Sequence, residues 1–294
     1  MADRNNAPFA VNKRIRKGLS LKTNRTIAYI VLVAVTVLCL FWFYVLFINA
    51  TRSHSELTQG FTALPGGNFI KNWKGLMAGT LPVWSGLLNS LLVSGMSALL
   101  CTYFSAMTAY AIHVYEFKLK KFMFTFVLAV MTIPAQVSAL GFVRLVMDLK
   151  LEDSFIPLII PSIAAPVTFF YIKQYMDSNL PVSLVEAARI DGSGEFCTFN
   201  FIVLPLVKPA IAVQAIFTFV SSWNNYFIPA LILHDENKKT LPILIAQLRS
   251  ADFLKFDMGQ VYAMIAFSIF PVILVYLLLS RFIVQGVTMG SVKG

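Results

Sequence analysis

Long apolar segments recur along the chain and alternate with short polar stretches. Most reach about 20 residues, the length that a helix needs to cross roughly 30 Å of hydrocarbon. Their polarity does not alternate from residue to residue, which excludes the strands of a closed membrane barrel. We therefore predict an all-α integral membrane protein with six transmembrane helices, at residues 27–48, 87–111, 122–143, 155–172, 210–233 and 261–280.

The composition agrees with this prediction and orients the helices. Of the 294 residues, 57% are hydrophobic and 13% are charged, too little polar surface for a soluble domain of this length. Lys and Arg accumulate on cytoplasmic flanks, and residues 1–26 contain seven of them against one acidic residue. Because six spans return the chain to its starting side, we expect both termini in the cytoplasm. The net charge of +10 follows from this bias and requires no nucleic acid partner.

The span positions define the expected domains. These are a basic cytoplasmic N-terminal segment at residues 1–26, a six-helix transmembrane domain at residues 27–285 and a cytoplasmic tail at residues 286–294. Residues 68–78 carry apolar side chains at helical spacing, which predicts a short interfacial helix with Trp73 at the headgroups and Lys71 and Lys74 facing water. A polar outer loop, residues 234–258, connects the last two spans.

A polar, glycine-containing stretch at residues 181–205 lies between the fourth and fifth spans, on the predicted cytoplasmic side. Ser183 and Glu186 have the spacing of a capping box, and Gly192 can supply a left-handed cap. Together they predict a helix of about two turns at residues 184–191. A helix this short is marginal by itself in water. Two interpretations stay open: it lies on the ends of its own bundle, or it docks into a groove of another protein.

The same stretch contains a spaced motif. Its pattern is Glu-Ala-Ala, three residues, Gly, nine residues, Ile, one residue and Leu-Pro, and its positions are filled by Glu186, Ala187, Ala188, Gly192, Ile202, Leu204 and Pro205. The chain thereby resembles the permease subunits of binding-protein-dependent ABC importers, which carry this motif in their EAA loop. The resemblance implies the type I ABC importer permease fold and a place in the bacterial cytoplasmic membrane.

In such importers the EAA loop forms a coupling helix that inserts into a cleft of the ATPase. The resemblance implies this ATPase-coupling role for Glu186, Ala187, Ala188, Arg189, Asp191 and Gly192. The chain has no G-x-x-x-x-G-K-[ST] loop, so we expect it to bind no cofactor, with ATP and magnesium bound by two separate ATPase subunits. The resemblance also implies a second, homologous permease subunit in a heterodimer and an extracellular solute-binding protein.

The resemblance extends over most of the chain and is to carbohydrate-uptake permeases of the maltose type, carbohydrate uptake class 1, in particular to the shorter six-helix partner. Besides the EAA loop it rests on residues 223–229 (WNNYFIP), 239–242 (KTLP) and the tail 286–294. In relatives the tail reaches toward the ATPase. The loop after the fifth helix can reach the docked sugar-binding protein, which makes residues 237–256 the expected contact.

Sugars are held by aromatic faces and by neutral side chains that form hydrogen bonds. The substrate-path candidates at membrane depth are Asn89, Gln136, Gln214, Trp223, Asn224, Asn225 and Tyr226. For each of them, interhelical hydrogen bonding or interfacial anchoring is the alternative. In relatives, moreover, the partner permease can hold most of the sugar.

Other functions stay possible at this point. An ABC permease for a peptide, an amino acid or a polyamine would share the motif. An ATP-independent secondary transporter would place ionisable groups at mid-membrane, and the predicted spans are nearly free of them. His, Cys, Asp and Glu do not cluster with the spacing of a metal or nucleophile site, so we predict no catalytic residue and no metal.

Overall fold

The computed structural model describes residues 7–250 and 257–290, with side chains at residues 23–134, 137–250 and 257–282. Every regular element in this part of the chain is helical, which confirms the all-α prediction. The α-helices are α1 (Ala7–Ala50), α2 (His54–Thr58), α3 (Phe69–Ala78), α4 (Val83–Val114), α5 (Lys120–Val130), α6 (Ala135–Asp148), α7 (Ile156–Ile159), α8 (Pro166–Asn179), α9 (Val182–Ile190), α10 (Glu195–Cys197), α11 (Leu204–Leu206), α12 (Lys208–Trp223), α13 (Phe227–Ile232), α14 (Leu241–Arg249) and α15 (Met258–Gly290). Two 3₁₀ turns, Ile160–Ile163 and Glu236–Lys238, and a π-helix, Thr198–Val203, lie between them.

Within the described residues, four helical segments are long and apolar enough to cross a membrane. They are Thr23–Ala50, Val83–Val114, Ile156–Asn179 and Met258–Phe282, and they match the first, second, fourth and sixth predicted spans. A bent pair, Glu195–Leu206 and Lys208–Trp223, is a fifth candidate, with 80° between its two parts. The second part, α12, coincides with the start of the fifth predicted span. The total of six stays a prediction.

The third predicted span is not one continuous helix. Helix α5 ends at Val130 and α6 begins at Ala135, and Pro134 precedes α6 in an extended conformation. Proline has no amide hydrogen to donate and keeps the preceding residue out of the helical region, so the chain turns here. Each of the two pieces is shorter than the roughly 20 residues that a span needs.

The outer loop also differs from its prediction. Residues 234–258 were expected to be a polar connection, but α14 lies within them. Leu241 and Leu244 of this helix are fully buried and pack with α3, α4, α12 and α15. The fifth predicted span correspondingly ends early, because α12 stops at Trp223 and α13 follows only from Phe227. The segment after α12 therefore returns to the bundle instead of remaining in solvent.

Helix α4 runs the length of the bundle and contributes to a core at each end. Near its C-terminus, Ala109 and Tyr110 share one core with residues of α8 and α9. Near its N-terminus, Val83 and Ala98 share another with α14 and α15. We refer to these two ends as the α9 end and the α14 end.

The first and last helices are antiparallel neighbours. The amide of Met258, where α15 begins, donates to Nδ1 of His54, just after α1 ends. At the other end of α15, the Lys208 ammonium lies 4.1 Å from the centroid of the Phe282 ring, which places these last turns at the α9 end. The side chains of α1 from residue 23 to residue 44 are all exposed. Helix α1 touches the rest of the bundle mainly along α15 and through its final turns.

Two predicted regions are helical for most of their length. Residue 7 already belongs to α1, so most of segment 1–26 continues the first span, and the tail 286–294 continues α15 as far as Gly290. Residues 1–6 and 291–294 lie outside the described residues. The interfacial helix predicted at residues 68–78 is confirmed as α3, with Lys71 and Lys74 exposed.

Candidate functional site

Helix α9 is the predicted short helix of the EAA loop, although it starts differently from the prediction. It begins at Val182, directly after Pro181, and no side chain caps its first turn. The predicted capping box of Ser183 and Glu186 is therefore wrong: Ser183 already lies inside the helix, where its hydroxyl cannot act as an N-cap. Proline at the start of a helix costs little, because its missing N–H would have no partner there.

The end of α9 is formed as predicted. Gly192 has φ +83°, the left-handed conformation that glycine adopts without strain. Its amide donates to the Arg189 carbonyl at 3.0 Å, and the Ser193 amide donates to the Ala188 carbonyl at 2.9 Å. This pair of bonds is a Schellman motif, which satisfies two of the free carbonyls and turns the chain back toward the bundle.

Helix α9 has one buried and one exposed side. Val185 is fully buried and Ala188 is 7% exposed, and Val185 belongs to the core of the α9 end. The opposite side, which we call the docking face, presents Glu186, Ala187, Ile190 and Asp191 to solvent. Of the six residues predicted to couple to an ATPase, Ala188 thus faces the bundle and not the docking face. Arg189 is half-buried and points to a different partner, described next.

Arg189 and two tyrosines converge on Glu195. Arg189 Nε donates to Glu195 Oε1 at 2.6 Å, and the Tyr110 hydroxyl donates to Oε2 at 3.1 Å. The Tyr115 hydroxyl also donates to Oε2, and its ring lies 5.3 Å below the Arg189 guanidinium. Glu195 lies before the fifth predicted span, which begins at residue 210. The hydrogen bond from Arg189, and to a smaller extent the one from Tyr115, lowers the pKa of Glu195 to about 2. This carboxylate is therefore ionised at neutral pH and can accept all three bonds.

The chain before α9 is attached to the same part of α4. His113 of α4 lies between two acceptors of α8 and its continuation: its Nδ1 is 2.9 Å from Asp177 Oδ1, and its Nε2 is 2.8 Å from the Leu180 carbonyl. The Lys173 ammonium also reaches Asp177, at 2.6 Å. The chain from Leu180 to Glu195 therefore leaves and returns at the last turn of α4. No local pattern in the sequence indicated His113, Tyr110, Tyr115 or Glu195.

Two of the substrate-path candidates line one cavity of about 780 Å³ between α4, α7, α8, α12 and α13. Gln214 is 6% exposed and has no hydrogen-bond partner in the part of the chain that the structure describes. Asn225 lines the same cavity, together with Ser162, Thr168 and Thr218. All the described residues that line this cavity are uncharged. It offers hydrogen bonds but no countercharge to an ion.

The other candidates lie elsewhere. Trp223, Asn224 and Tyr226 line a separate cavity of about 490 Å³ at the α14 end, and Trp223 is a core residue stacked on Phe219. The Asn89 amide donates to the carbonyls of Asn237 and Lys239, at 2.8 and 3.0 Å. Asn89 is thus engaged in holding the outer loop. The side chain of Gln136 lies outside the described residues.

The predicted contact for a binding protein, residues 237–256, is described as far as residue 250. The remainder, residues 251–256, lies outside the described residues. Besides Asn89, the Ser90 hydroxyl accepts from the Leu241 amide at 2.8 Å. Asp153 accepts from the amides of His234 and Asp235, at 2.6 and 2.8 Å, and these bonds lower its pKa. The start of this loop is therefore fixed to α4 and to the loop between α6 and α7.

Comparison with known proteins identifies the family. Residues 101–289 match the model of the binding-protein-dependent transport system inner membrane component. This range contains α9, the whole EAA motif and the C-terminal part of α4 from Cys101 onward. The match confirms the resemblance stated from the motif and also shows that the chain is a membrane component.

Several curated relatives are transport permeases. The chain is 34% identical over 265 residues to the arabinooligosaccharides transport system permease protein of Bacillus subtilis, covering 88% of this chain and 92% of that protein. It is 31% identical to the melibiose/raffinose/stachyose import permease protein of the same organism, covering 77% and 80% of the two chains. A sn-glycerol-3-phosphate transport system permease protein of Yersinia pestis is 31% identical, covering 92% and 96%.

A solved structure shows the same architecture. A chain of a bacterial ABC transporter involved in the import of the acidic polysaccharide alginate superposes with a TM-score of 0.75 at 22% identity, covering 89% of this chain and 97% of that one. The likeness confirms the type I ABC importer permease fold. Helical architecture, motif and family match together show that the chain belongs to the binding-protein-dependent transport system inner membrane components.

Proposed function

We propose that this chain is the non-catalytic permease subunit of an ABC importer that moves a neutral sugar or oligosaccharide into a bacterial cell. A second permease subunit completes the translocation path, two ATPase subunits bind ATP and magnesium, and an extracellular solute-binding protein delivers the sugar. The observation that carries this proposal is the arrangement of α9. A short helix is held on the bundle by its buried side, while its opposite side presents Ile190, which is 86% exposed, together with Glu186, Ala187 and Asp191.

The docking face is suited to transmit work from a partner. Val185 belongs to the core of the α9 end, and Ala188 is buried beside it on the same side of α9. A partner that binds the exposed side therefore moves part of the bundle with it. When the ATPase subunits close on ATP, their preferential binding to one arrangement of the bundle shifts the population toward that arrangement. Hydrolysis removes this preference and lets the bundle return.

The cavity around Gln214 supports a neutral cargo. Hydroxyl and amide groups suit the hydroxyls of a sugar, and the absence of charge among its described lining residues gives an anion no partner. An unpaired ion in such a site is costly. Relatives named for arabinooligosaccharides and for melibiose, raffinose and stachyose carry cargo of this neutral kind. The relatives named for glycerol phosphate and alginate carry anions, for which this cavity is a poorer match.

The coupling part of the proposal is tested by blocking the docking face without disturbing the core. Deleting the loop would also remove Val185 and Ala188 from the core, so a point substitution is preferable. We expect Ala187→Trp to abolish ATP-dependent uptake in proteoliposomes while membrane insertion and assembly with the second permease persist. Ala187→Ser is the matched control and should transport normally. Retained uptake by Ala187→Trp would contradict the proposal.

The cargo is tested in the same vesicles. Uptake should be seen with a neutral oligosaccharide such as raffinose and not with sn-glycerol 3-phosphate, when each is tested over the same concentration range. Peptides, amino acids and polyamines form a third group of probes. Transport of one of these probes in place of the sugars would refute the assignment of the cargo but would be consistent with the coupling mechanism. Uptake that persists with an ATPase-inactive partner would instead indicate a secondary transporter.

A further inference from the structure

The last turn of α4 holds the chain on both sides of α9. His113 contacts Asp177 and the Leu180 carbonyl before α9. Tyr110 and, just after α4, Tyr115 donate to Glu195 after α9. Since α9 lies between these attachments, it cannot shift far relative to α4 unless one of them breaks.

The attachment at Glu195 also includes α9 itself. Arg189 lies on α9 and donates to the carboxylate that the two tyrosines share. The α4 side of this contact is rigid: Tyr110 is 4% exposed, and its ring lies 5.5 Å from that of Phe199 and 6.0 Å from that of Tyr115. The four side chains Tyr110, Tyr115, Arg189 and Glu195, which we call the clamp, therefore join α9 directly to α4.

Helix α4 continues from the clamp to the solute cavity. Ser97 and Cys101 line that cavity, and Cys101 lies nine residues before Tyr110. At 1.5 Å per residue this is about 14 Å along a continuous helix. A displacement applied at the clamp reaches the cavity wall because an uninterrupted α-helix moves as a stiff rod. The core of the α9 end is a second connection between α9 and α4, because Val185 shares this apolar cluster with Ala109 and Tyr110.

We propose that the clamp of Tyr110, Tyr115, Glu195 and Arg189 transmits the displacement of α9 to α4 and so sets how much sugar moves for each ATP hydrolysed. This inference rests on the proposed function. These are positioning residues, because they lie behind the docking face. Apolar contacts such as that of Val185 keep the loop folded but allow sliding, whereas directed bonds to one carboxylate fix the position of α9 along α4.

The experiment removes hydroxyl groups and keeps the rings. Tyr110→Phe/Tyr115→Phe is assembled with the partner permease, ATPase and binding protein in proteoliposomes, and raffinose uptake and ATP hydrolysis are measured in the same vesicles. The ratio of sugar to ATP should fall at least about fivefold, the lower end of typical coupling between sites. The half-saturating sugar concentration should not change, because the cavity is intact.

Tyr103→Phe is the matched control. Tyr103 is also on α4, and its hydroxyl donates to Asn200 Oδ1 at 3.2 Å, so it makes a directed bond from the same helix without touching the Glu195 carboxylate. Its removal should leave the ratio at the wild-type value. A wild-type ratio in the Tyr110→Phe/Tyr115→Phe variant, or an equal loss in Tyr103→Phe, would overturn the inference.

A second measurement tests whether the clamp acts as a unit. If it does, the triple variant that combines Glu195→Gln with the two tyrosine substitutions should lose little more of the sugar-to-ATP ratio than the worse of Glu195→Gln alone and the double tyrosine variant. The reason is that the effects of substitutions at contacting residues do not add. Additive losses would overturn the inference. If the double variant fails to assemble, Tyr115→Phe alone is used, because Tyr115 is the more exposed of the two tyrosines. Its sugar-to-ATP ratio should also fall below the wild-type value. If the wild-type complex itself shows no ATP-dependent sugar uptake, the proposed function fails, which is a different result from loss of the ratio in the variants alone.

Discussion

Replacing Ile190 by alanine tests whether the exposed side of α9 is a docking surface. Ile190 is 86% exposed, so its side chain contributes little to the stability of the bundle. The substitution removes three carbon atoms, each worth about 0.8 kcal/mol when fully buried. An interface that covers this side chain for the most part should lose about 1–2 kcal/mol, or roughly 5- to 30-fold in affinity. Alanine is also the better helix former, which keeps α9 intact.

The assay titrates the permease pair in nanodiscs with fluorescently labelled ATPase subunit and records thermal unfolding in parallel. Val185→Ala provides the reciprocal comparison. Val185 is fully buried, so its truncation should lower the stability of the bundle by about 1–2 kcal/mol, from the two lost methyl groups, with a smaller effect on docking. Ile190→Ala with unchanged affinity for the ATPase would refute the assignment of the docking face.

Three further substitutions test other contacts. Gly192→Ala places a side chain at φ +83° and should destabilise the left-handed end of α9 by about 1–2 kcal/mol. We expect reduced uptake although the protein inserts into the membrane normally. Gly259→Ala brings a Cβ within 2.7 Å of the Arg52 carbonyl oxygen. This overpacking should destabilise the bundle by about 1–3 kcal/mol and lower its unfolding temperature. Gly95→Ala is the control, because it has open space around its Cβ and should leave the unfolding temperature unchanged. Asn89→Ala removes two bonds to the outer loop and should increase protease cleavage near Lys239, and unchanged cleavage would argue against its anchoring role.

Elements governed by local patterning could be predicted from the sequence. Helix α3 was expected at residues 68–78 and is found at Phe69–Ala78, because its apolar positions recur at helical spacing. Gly192 was expected to end α9 in a left-handed conformation and does so. The start of α9 was misplaced, because Ser183 and Pro181 are both residues found at helix starts, and the sequence does not show which of them is used.

The remaining differences depend on information that an apolar run does not carry. Residues 122–143 are mostly apolar, but apolarity does not ensure one continuous helix, and Pro134 interrupts it. Leu241 and Leu244 fall in a segment that was expected to be a polar loop, and only the folded chain shows that they are buried. Asn89 was a substrate-path candidate by its chemistry, with hydrogen bonding inside the protein as the alternative, and its partners are carbonyls about 150 residues away. The clamp around Glu195 joins residues distant in sequence and was not foreseen.

Helix α1 leaves an apolar surface that its own bundle does not cover. Its side chains from residue 23 to residue 44 are exposed, many of them are large and hydrophobic, and the cores at both ends of the bundle contain none of its residues. Within a bilayer, lipid tails or a neighbouring subunit must cover such a surface. A substitution on this side of α1 should therefore affect contacts with the surroundings before it affects the folding of the chain.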